Sequence, residues 1–95
     1  MISLIWSPRF KKKLEKYFKK HPELKDVLEE KLNLFVKNPH YPELKNHKLS
    51  GNLSGLRAIV ITYDCRIIFE PYDEQNEVLL VDIGGHDDVY WKGKK

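Results

Sequence analysis

Histidine, arginine and carboxylate side chains recur along the second half of this chain, where they could act together on a phosphodiester. His47 begins the run His-Lys-Leu-Ser-Gly, and His86 follows two glycines, with Arg57 and Asp64 between them. RNA cleavage without a metal requires a base for the 2′-OH proton, an acid for the leaving 5′-oxygen and cations for the crowded phosphorane. Imidazole titrates near neutral pH, and the guanidinium fork matches phosphate oxygens. These four side chains therefore suit that chemistry.

The two histidines differ in how strongly their surroundings favour a functional role. The glycines before His86 end a predicted strand, where backbone can approach a ligand closely and a side chain can point into a cleft. The alternative for His86 is a loop residue without a role. His47 lies in more flexible sequence, so the functional and the loop interpretations are equally supported there. His21 and His40 are interpreted as a helix-end and a loop residue.

Arg57 and Asp64 also have structural alternatives. Arg57 lies between Leu56 and Ala58 on a segment of alternating pattern, so its side chain is expected on the opposite sheet face from theirs. There it either pairs with a carboxylate, Asp64 or Glu70, or binds substrate. Asp64 lies in a predicted tight turn, where aspartate is common because its side chain bonds to nearby backbone.

Two aromatic residues near the end of the chain suit contacts with RNA bases. Tyr90 and Trp91 could stack on a base, a contact worth about 1–3 kcal/mol, or close the sheet as a hydrophobic latch. A metal set of two histidines and a carboxylate, from His47, Asp64 and His86, is an alternative use of the same side chains. No local spacing such as His-x-x-x-His supports it, so neither a metal nor another cofactor is predicted.

Positive charge is concentrated near the start of the chain, although the formal net charge is only +3. Between positions 9 and 20 one acid, Glu15, accompanies the basic residues Arg9, Lys11, Lys12, Lys13, Lys16, Lys19 and Lys20. A local basic face favours contact with a polyanion, because such binding depends on local phosphate neutralisation. A solvated helix face is the alternative. The residues predicted to bind RNA are Lys11, Lys12, Lys13, Lys16, Lys48, Arg66 and Trp91.

Length and composition limit the class of protein. The 95 residues predict one domain, 1–95, and 41% hydrophobic with 33% charged residues predicts a folded globular chain. Apolar runs fall far short of the ~20 residues that span a bilayer, and no leader segment is visible. A single cysteine, Cys65, excludes an internal disulfide and is interpreted as a small core residue. A cytoplasmic location without a membrane partner is expected.

These residues must be positioned by a small set of helices and strands. Ser7 suits an N-cap and Pro8 the first helical residue, and prolines at 22 and 39 end the two helical patterns. The predicted elements are a strand at 2–6, helices at 8–21 and 22–38, an extended piece at 47–49, and strands at 56–62, 65–72 and 77–83. The last strand is nearly continuously apolar and is expected to be central.

The predicted fold class is α+β with the order βααβββ. A two-helix hairpin packs on one face of a four-stranded, mainly antiparallel sheet, because this arrangement buries both apolar helix stripes. The other sheet face is expected to be concave and open.

Several short motifs, taken in order and spacing, resemble the RelE/ParE superfamily of bacterial toxin–antitoxin toxins. The similarity is greatest to its RelE/StbE and YafQ-like mRNA interferases, and it spans nearly the whole chain. The motifs are His-Lys-Leu-x-Gly at 47–51, Gly-Leu-Arg at 55–57, Asp-x-Arg-Ile-Ile-Phe at 64–69 and Ile-Gly-x-His-Asp-x-Val-Tyr at 83–90.

The resemblance implies a RelE-like fold and a ribosome-associated endoribonuclease that a cognate antitoxin neutralises. It assigns catalytic positions to His47, Arg57, Asp64, His86 and Tyr90. YafQ-like toxins carry a further histidine on the strand after the arginine, whereas this chain has Val60. The proton transfer would then be shared by the two remaining histidines.

The expectation is metal-independent cleavage of mRNA by attack of the 2′-OH. His86 is expected to be the general acid, and His47 with Asp64 the base or its orienting group. Arg57 would hold the phosphate and Tyr90 would position a base, with antitoxin, mRNA and ribosomal RNA as partners. One alternative is a ParE-like toxin that acts on a protein such as DNA gyrase. Another is an RNA- or antitoxin-binding module without catalysis.

Overall fold

The structure is a computed structural model that describes residues 1–85. Three predicted site residues, His86, Tyr90 and Trp91, lie outside the described residues. The elements are strand β1 (Ser3–Trp6), helices α1 (Pro8–Lys20) and α2 (Lys25–Lys37), and strands β2 (His47–Lys48), β3 (Arg57–Thr62), β4 (Cys65–Tyr72) and β5 (Glu77–Gly84).

The strands of the described part form one mixed sheet in the order β1-β5-β4-β3-β2. β1 is parallel to β5, and the other neighbours are antiparallel. The α+β class and the helix pair on a sheet are confirmed. The sheet has five strands rather than the predicted four, because His47 and Lys48 pair with the start of β3. A two-residue strand inside a loop shows no periodicity of its own, so only its partner reveals it.

Helix α1 begins where the sequence predicts. The Ser7 hydroxyl accepts a hydrogen bond from the Phe10 amide at 3.1 Å and donates to the Leu80 carbonyl at 2.9 Å, and Pro8 is the first helical residue. The cap therefore stabilises the helix start and also anchors it to β5. The helix ends at Lys20, just before His21 and Pro22.

Helix α2 begins three residues later than predicted. Pro22–Leu24 form a 3₁₀ turn, and the α-helix runs from Lys25 to Lys37 with Asn38 as its C-cap. A short proline-initiated turn and a helix start carry the same local signals, which explains the difference. Neither helix of the described part is long and apolar enough to cross a membrane.

The main core lies between the helices and one face of the sheet. Fully buried aromatic rings meet there, with Phe35 of α2 edge-on to Phe69 of β4 at 4.9 Å between centroids. Phe10 from α1 and Leu80 from β5 belong to the same cluster. Cys65 is also buried in it, and desolvation raises the pKa of its thiol. The prediction that Cys65 is a core residue is confirmed.

The opposite sheet face carries a second, smaller apolar cluster. Ala58 and Ile68 are buried there under Leu49, Leu56 and Val81. The segment between β2 and β3 therefore covers part of the face that was expected to be open. That segment turns through glycines at positive φ, +64° at 51 and +92° at 55, which favour glycine over other residues.

Candidate functional site

Strand pairing places His47 on the sheet face away from the helices. His47 lies opposite Ala58, and Ala58 lies opposite Ile68. Directly opposed residues share a face, and these two neighbours belong to the second apolar cluster. Val60 and Arg66 also oppose each other, one alternation further along the same face. We call this surface the open face.

The His47 imidazole is exposed and hydrogen-bonded to backbone. Its Nδ1 lies 2.8 Å from the Lys45 carbonyl oxygen. Because a carbonyl can only accept, Nδ1 must carry the proton in this bond. In the neutral ring Nε2 is then the basic nitrogen, which is the form a general base requires.

Asp64 and Arg66 lie together at one end of the open face. Asp64 is exposed in the turn between β3 and β4. Arg66 Nη1 donates to the carbonyl oxygens of Thr62 at 3.0 Å and Tyr63 at 2.7 Å. The guanidinium therefore closes the turn that presents Asp64. Gly84 opposes Arg66 on β5 at the same end of the sheet.

Arg57 lies on the other side of the sheet from His47. It alternates with Ala58 and opposes Lys48, so both cations project from the helix-facing side. This orientation is the one predicted relative to Ala58. The alternative that Arg57 pairs with Asp64 or Glu70 is wrong, since no ion pair joins them among residues 1–85.

The Glu70 carboxylate of β4 is engaged elsewhere. It accepts a hydrogen bond from the Tyr72 hydroxyl at 2.9 Å, and this bond raises the pKa of Tyr72.

An amide side chain holds Arg57 in place. Arg57 Nε donates to Asn46 Oδ1 at 2.6 Å, and Asn46 Nδ2 donates to the Pro39 carbonyl at 2.9 Å. The guanidinium is thus oriented from the loop between α2 and β2, while its terminal nitrogens make no hydrogen bond within the described part of the chain. A cation fixed through one donor is prepared to bind an anion through the others.

Arg57 and Lys48 line a cavity of about 440 Å³ that we call the Arg57 cavity. Its floor includes Phe35, Phe69 and Val78, which are at most 4% exposed. Its polar lining comes from two directions, with His40, Asn46, Lys48 and Arg57 from one and Asp73, Asn76 and Glu77 from the other.

The basic residues of α1 fall into two groups. Lys13 forms an ion pair with the buried carboxylate of Asp82, and Arg9 Nη2 lies 3.8 Å from the same group. Lys12 and Lys16 form no ion pair within residues 1–85 and line a shallow groove with them. Lys13 is therefore also a structural residue of the α1–β5 contact.

Two important polar residues were not singled out by the sequence. Asp82 lies in a strand predicted to be almost entirely apolar, yet it is 7% exposed and accepts from the Ile83 amide at 2.8 Å. The sequence signal that could have identified Asp82 was the presence of one acidic residue in an otherwise apolar stretch of strand. Asn46 gave no such signal, because its role depends on a contact with Arg57 across the loop.

Within residues 1–85 no three histidine, cysteine, aspartate or glutamate side chains come together as a metal site. The two-histidine set considered from the sequence also requires His86, which lies outside the described residues.

The comparison with protein families identifies one family. A family described as "Bacterial toxin of type II toxin-antitoxin system, YafQ" matches residues 2–91. No curated protein matches the chain significantly.

Solved toxin structures have the same fold. YafQ from E. coli strain BL21(DE3) is 20% identical with a TM-score of 0.78, over 95% of this chain and 99% of that chain. YafQ in the E. coli DinJ–YafQ complex is 20% identical with a TM-score of 0.76, over the same shares. A metal-bound toxin from Helicobacter pylori is 27% identical with a TM-score of 0.73, over 94% of this chain and 99% of that chain.

Proposed function

Because the chain belongs to the YafQ family of bacterial toxins from type II toxin–antitoxin systems, we propose that it is an endoribonuclease that cleaves mRNA on the ribosome. The observation that carries the proposal is the position of His47 on the open face, near Val60 and Arg66. An exposed imidazole and a guanidinium on one surface can both reach a phosphodiester. The open face is therefore the proposed active surface.

The proposed reaction is an internal transesterification. It releases the downstream RNA fragment, which begins with a 5′-hydroxyl. His47 Nε2 removes the 2′-OH proton, and Asp64, in the turn after the far end of β3, is the alternative base. The 2′-oxygen attacks phosphorus, and the bond from phosphorus to the 5′-oxygen breaks. His86 protonates that leaving oxygen. The products are a 2′,3′-cyclic phosphate and a 5′-hydroxyl.

The two arginines have different places in this scheme. Arg66 shares the open face with His47, so its guanidinium is proposed to stabilise charge on the reacting phosphate while it holds the turn of Asp64. Arg57, on β3, projects from the helix-facing side of the sheet. It is proposed to bind a neighbouring phosphate of the RNA. Tyr90 is proposed to stack on or position a base.

The departure from the YafQ pattern at position 60 lies within the proposed active surface. Val60 opposes Arg66 and occupies the same face as His47. A histidine there would be adjacent to the other groups, so its replacement removes one titratable side chain from the surface. The proposed proton transfers accordingly depend on His47 and His86.

The proposed partners follow from the family and from charge. E. coli YafQ is found in a complex with DinJ, and we propose that a cognate antitoxin covers the open face and the helix pair of this chain. Lys11, Lys12 and Lys16 of α1 are proposed to contact ribosomal RNA, and Lys48 and Trp91 are proposed to contact the mRNA. A cytoplasmic location is part of this proposal, because the proposed substrate is mRNA on ribosomes.

Mapping mRNA 5′ ends after induced expression tests the proposal. The wild-type chain should generate new 5′ ends within coding regions, and His86→Ala should remove most of them, since loss of a general acid costs about 10²–10⁴-fold. His21→Ala is the matched control, because His21 lies at the end of α1, where its ring centroid is 4.7 Å from that of Tyr17. Growth arrest that persists in His86→Ala without new 5′ ends would support a protein target instead.

Two further measurements test the chemistry itself. A substrate with 2′-deoxyribose at the cut position should resist cleavage, because it lacks the nucleophile. Activity should persist in EDTA, which matters because the H. pylori relative is metal-bound. Cleavage of the deoxy substrate, or loss of activity in EDTA with restoration by a metal, contradicts the proposed mechanism.

A further inference from the structure

The Arg57 cavity has a cationic end that no described residue neutralises. Lys48 and Arg57 oppose each other across β2 and β3, and neither forms an ion pair among residues 1–85. Asn46 fixes the Arg57 guanidinium through Nε. Two neighbouring cations, one of them oriented in advance, match the charge and the acceptor oxygens of a phosphate.

The other end of the cavity carries carboxylates. Asp73 and Glu77 enter from the connection between β4 and β5, two strands away from β3 in the sheet, and neither is ion-paired within the described part. An ionised carboxylate only accepts hydrogen bonds. This end therefore selects a group with N–H donors and repels a second phosphate.

An apolar floor lies between the two ends. Phe35, Phe69 and Val78 belong to the main core and also border the cavity. The volume of about 440 Å³ falls within the range of roughly 300–1,000 Å³ typical of small-molecule sites. A flat, weakly polar body would cover this floor while its polar groups reached the two ends.

A nucleotide with a donor-rich base has these properties. Its phosphate is an anion, its base is flat, and the Watson–Crick edge of guanine presents adjacent N1–H and N2–H donors to a carboxylate. The corresponding edge of uracil has one N–H between two carbonyl groups, which carboxylates repel. Guanine is thus the base that the lining favours most and uracil the base that it favours least.

The cavity is also within reach of RNA that lies on the open face. His47 and Lys48 are consecutive residues of the edge strand β2, so one projects toward the open face and the other toward the cavity. β2 pairs only with β3, and it ends the described sheet. An RNA strand that passes over this two-residue edge would meet His47 on one side and Lys48 on the other.

We propose that the Arg57 cavity binds one nucleotide of the RNA beside the cut site, with its phosphate at Lys48 and Arg57 and a guanine edge at Asp73 and Glu77. The proposal rests on the proposed ribonuclease activity. This site would give the enzyme a sequence preference. The preferred base would bind on the helix-facing side of the sheet, away from the reacting phosphate on the open face.

Titration of the ¹⁵N-labelled protein with mononucleotides tests the site without any cleavage. 5′-GMP should shift the amide signals of Lys48, Arg57 and Glu77 and should bind about tenfold more tightly than 5′-UMP. Arg57→Gln should weaken 5′-GMP binding but leave the weak binding of guanosine unchanged. Equal binding of the two nucleotides, or shifts confined to α1, would overturn the proposal.

A charge-matched pair of variants separates the cavity from general electrostatics. Glu77→Gln should reduce the preference for 5′-GMP over 5′-UMP to within about twofold of unity, because a neutral amide presents donors as well as an acceptor. Glu74→Gln should leave the preference intact, since Glu74 is exposed in the turn that precedes β5 but does not line the cavity. Equal effects of both variants would contradict specific recognition of guanine by Glu77 in the Arg57 cavity.

Cleavage mapping then separates this inference from the proposed function. Guanine should be enriched at one position within two nucleotides of the cut, and Glu77→Gln should abolish the enrichment while cleavage continues. Cleavage by the wild type without guanine enrichment, or with enrichment that Glu77→Gln retains, overturns the nucleotide-site inference but not the proposed ribonuclease activity.

The binding experiments separate the two proposals in the other direction. Binding of 5′-GMP by a wild type that cuts no mRNA overturns the proposed ribonuclease activity but not the nucleotide site. If purified antitoxin shifts these amides and 5′-GMP does not, the cavity is a protein-docking site and the inference is wrong.

Discussion

Arg57 and Arg66 lie on neighbouring strands, and the sequence predicts the first as a catalytic and the second as an RNA-binding residue. The structure gives them different partners. Arg66 is on the open face and donates to two backbone carbonyls of its own turn. Arg57 is on the helix-facing side and donates to a side-chain amide from a distant loop. The first guanidinium fixes backbone beside the proposed active surface, whereas the second is itself fixed and lines a cavity. The partner of an arginine, and not its proximity in sequence to other functional residues, indicates what it does.

Between the two arginines, the larger effect is expected from Arg66→Ala. Loss of the bonds to Thr62 and Tyr63 should loosen the turn of Asp64 and lower the free energy of unfolding by about 1–2 kcal/mol. Cleavage should fall about 100-fold, because charge stabilisation and the position of Asp64 are both affected. Denaturant unfolding and single-turnover cleavage measure the two effects. An unchanged unfolding free energy would contradict the structural part of the role of Arg66.

Arg57→Gln should separate the two arginines. Cleavage should fall about tenfold, as expected for loss of one phosphate contact, while the free energy of unfolding changes by less than about 0.5 kcal/mol. The same two assays apply, with Arg66→Gln as the matched variant. A stability loss as large as that of Arg66→Gln would remove the distinction between a structural and a ligand-binding arginine.

Val60→His tests whether catalysis takes place on the open face. The new imidazole would lie on the same face as His47 and opposite Arg66, so cleavage should rise about threefold to tenfold. The gain should disappear when His47 is also replaced by Gln, if the two rings share one reaction. Cleavage that falls while the fold is retained would argue that Val60 is required as an apolar support.

The smallest effect on cleavage is expected on α1, where the same contrast recurs between two lysines. Lys12→Gln should reduce the salt slope of RNA binding by about one without a change in stability. Lys13→Gln should mainly destabilise the fold, because it leaves the buried Asp82 carboxylate with a single, more distant cation, Arg9. Filter binding across salt concentrations and thermal unfolding distinguish the two. A reversed pattern would mean that Lys13 faces RNA and that the ion pair with Asp82 is dispensable.

Much of the fold could be predicted because it depends on short-range signals. Ser7 and Pro8 mark the start of α1, and alternating residues mark β3 and β4, as the structure confirms. The start of α2 was predicted three residues too early, because Pro22 begins a 3₁₀ turn that resembles a helix start. The β2 strand was visible only as an extended piece, because pairing with β3 defines it.

The candidate site was predictable in its residue types but not in its arrangement. His47 and Arg57 were both selected by chemistry, and their separation by the edge of the sheet was not anticipated. Asn46 was missed because an asparagine in a loop has many possible roles, and only the contact with Arg57 distinguishes this one. Asp82 was missed because its cations come from a helix far away in the chain.

By itself, the sequence determined the order of helices and strands, the basic character of α1 and the residue types available for acid–base chemistry. Caps, prolines and apolar periodicity act within a few residues, so these features need no knowledge of distant contacts. Only the tertiary structure decided which side chains share a face and which cations have internal partners. A shift of one residue in strand register reverses every side chain, and that register is set by contacts between distant parts of the chain.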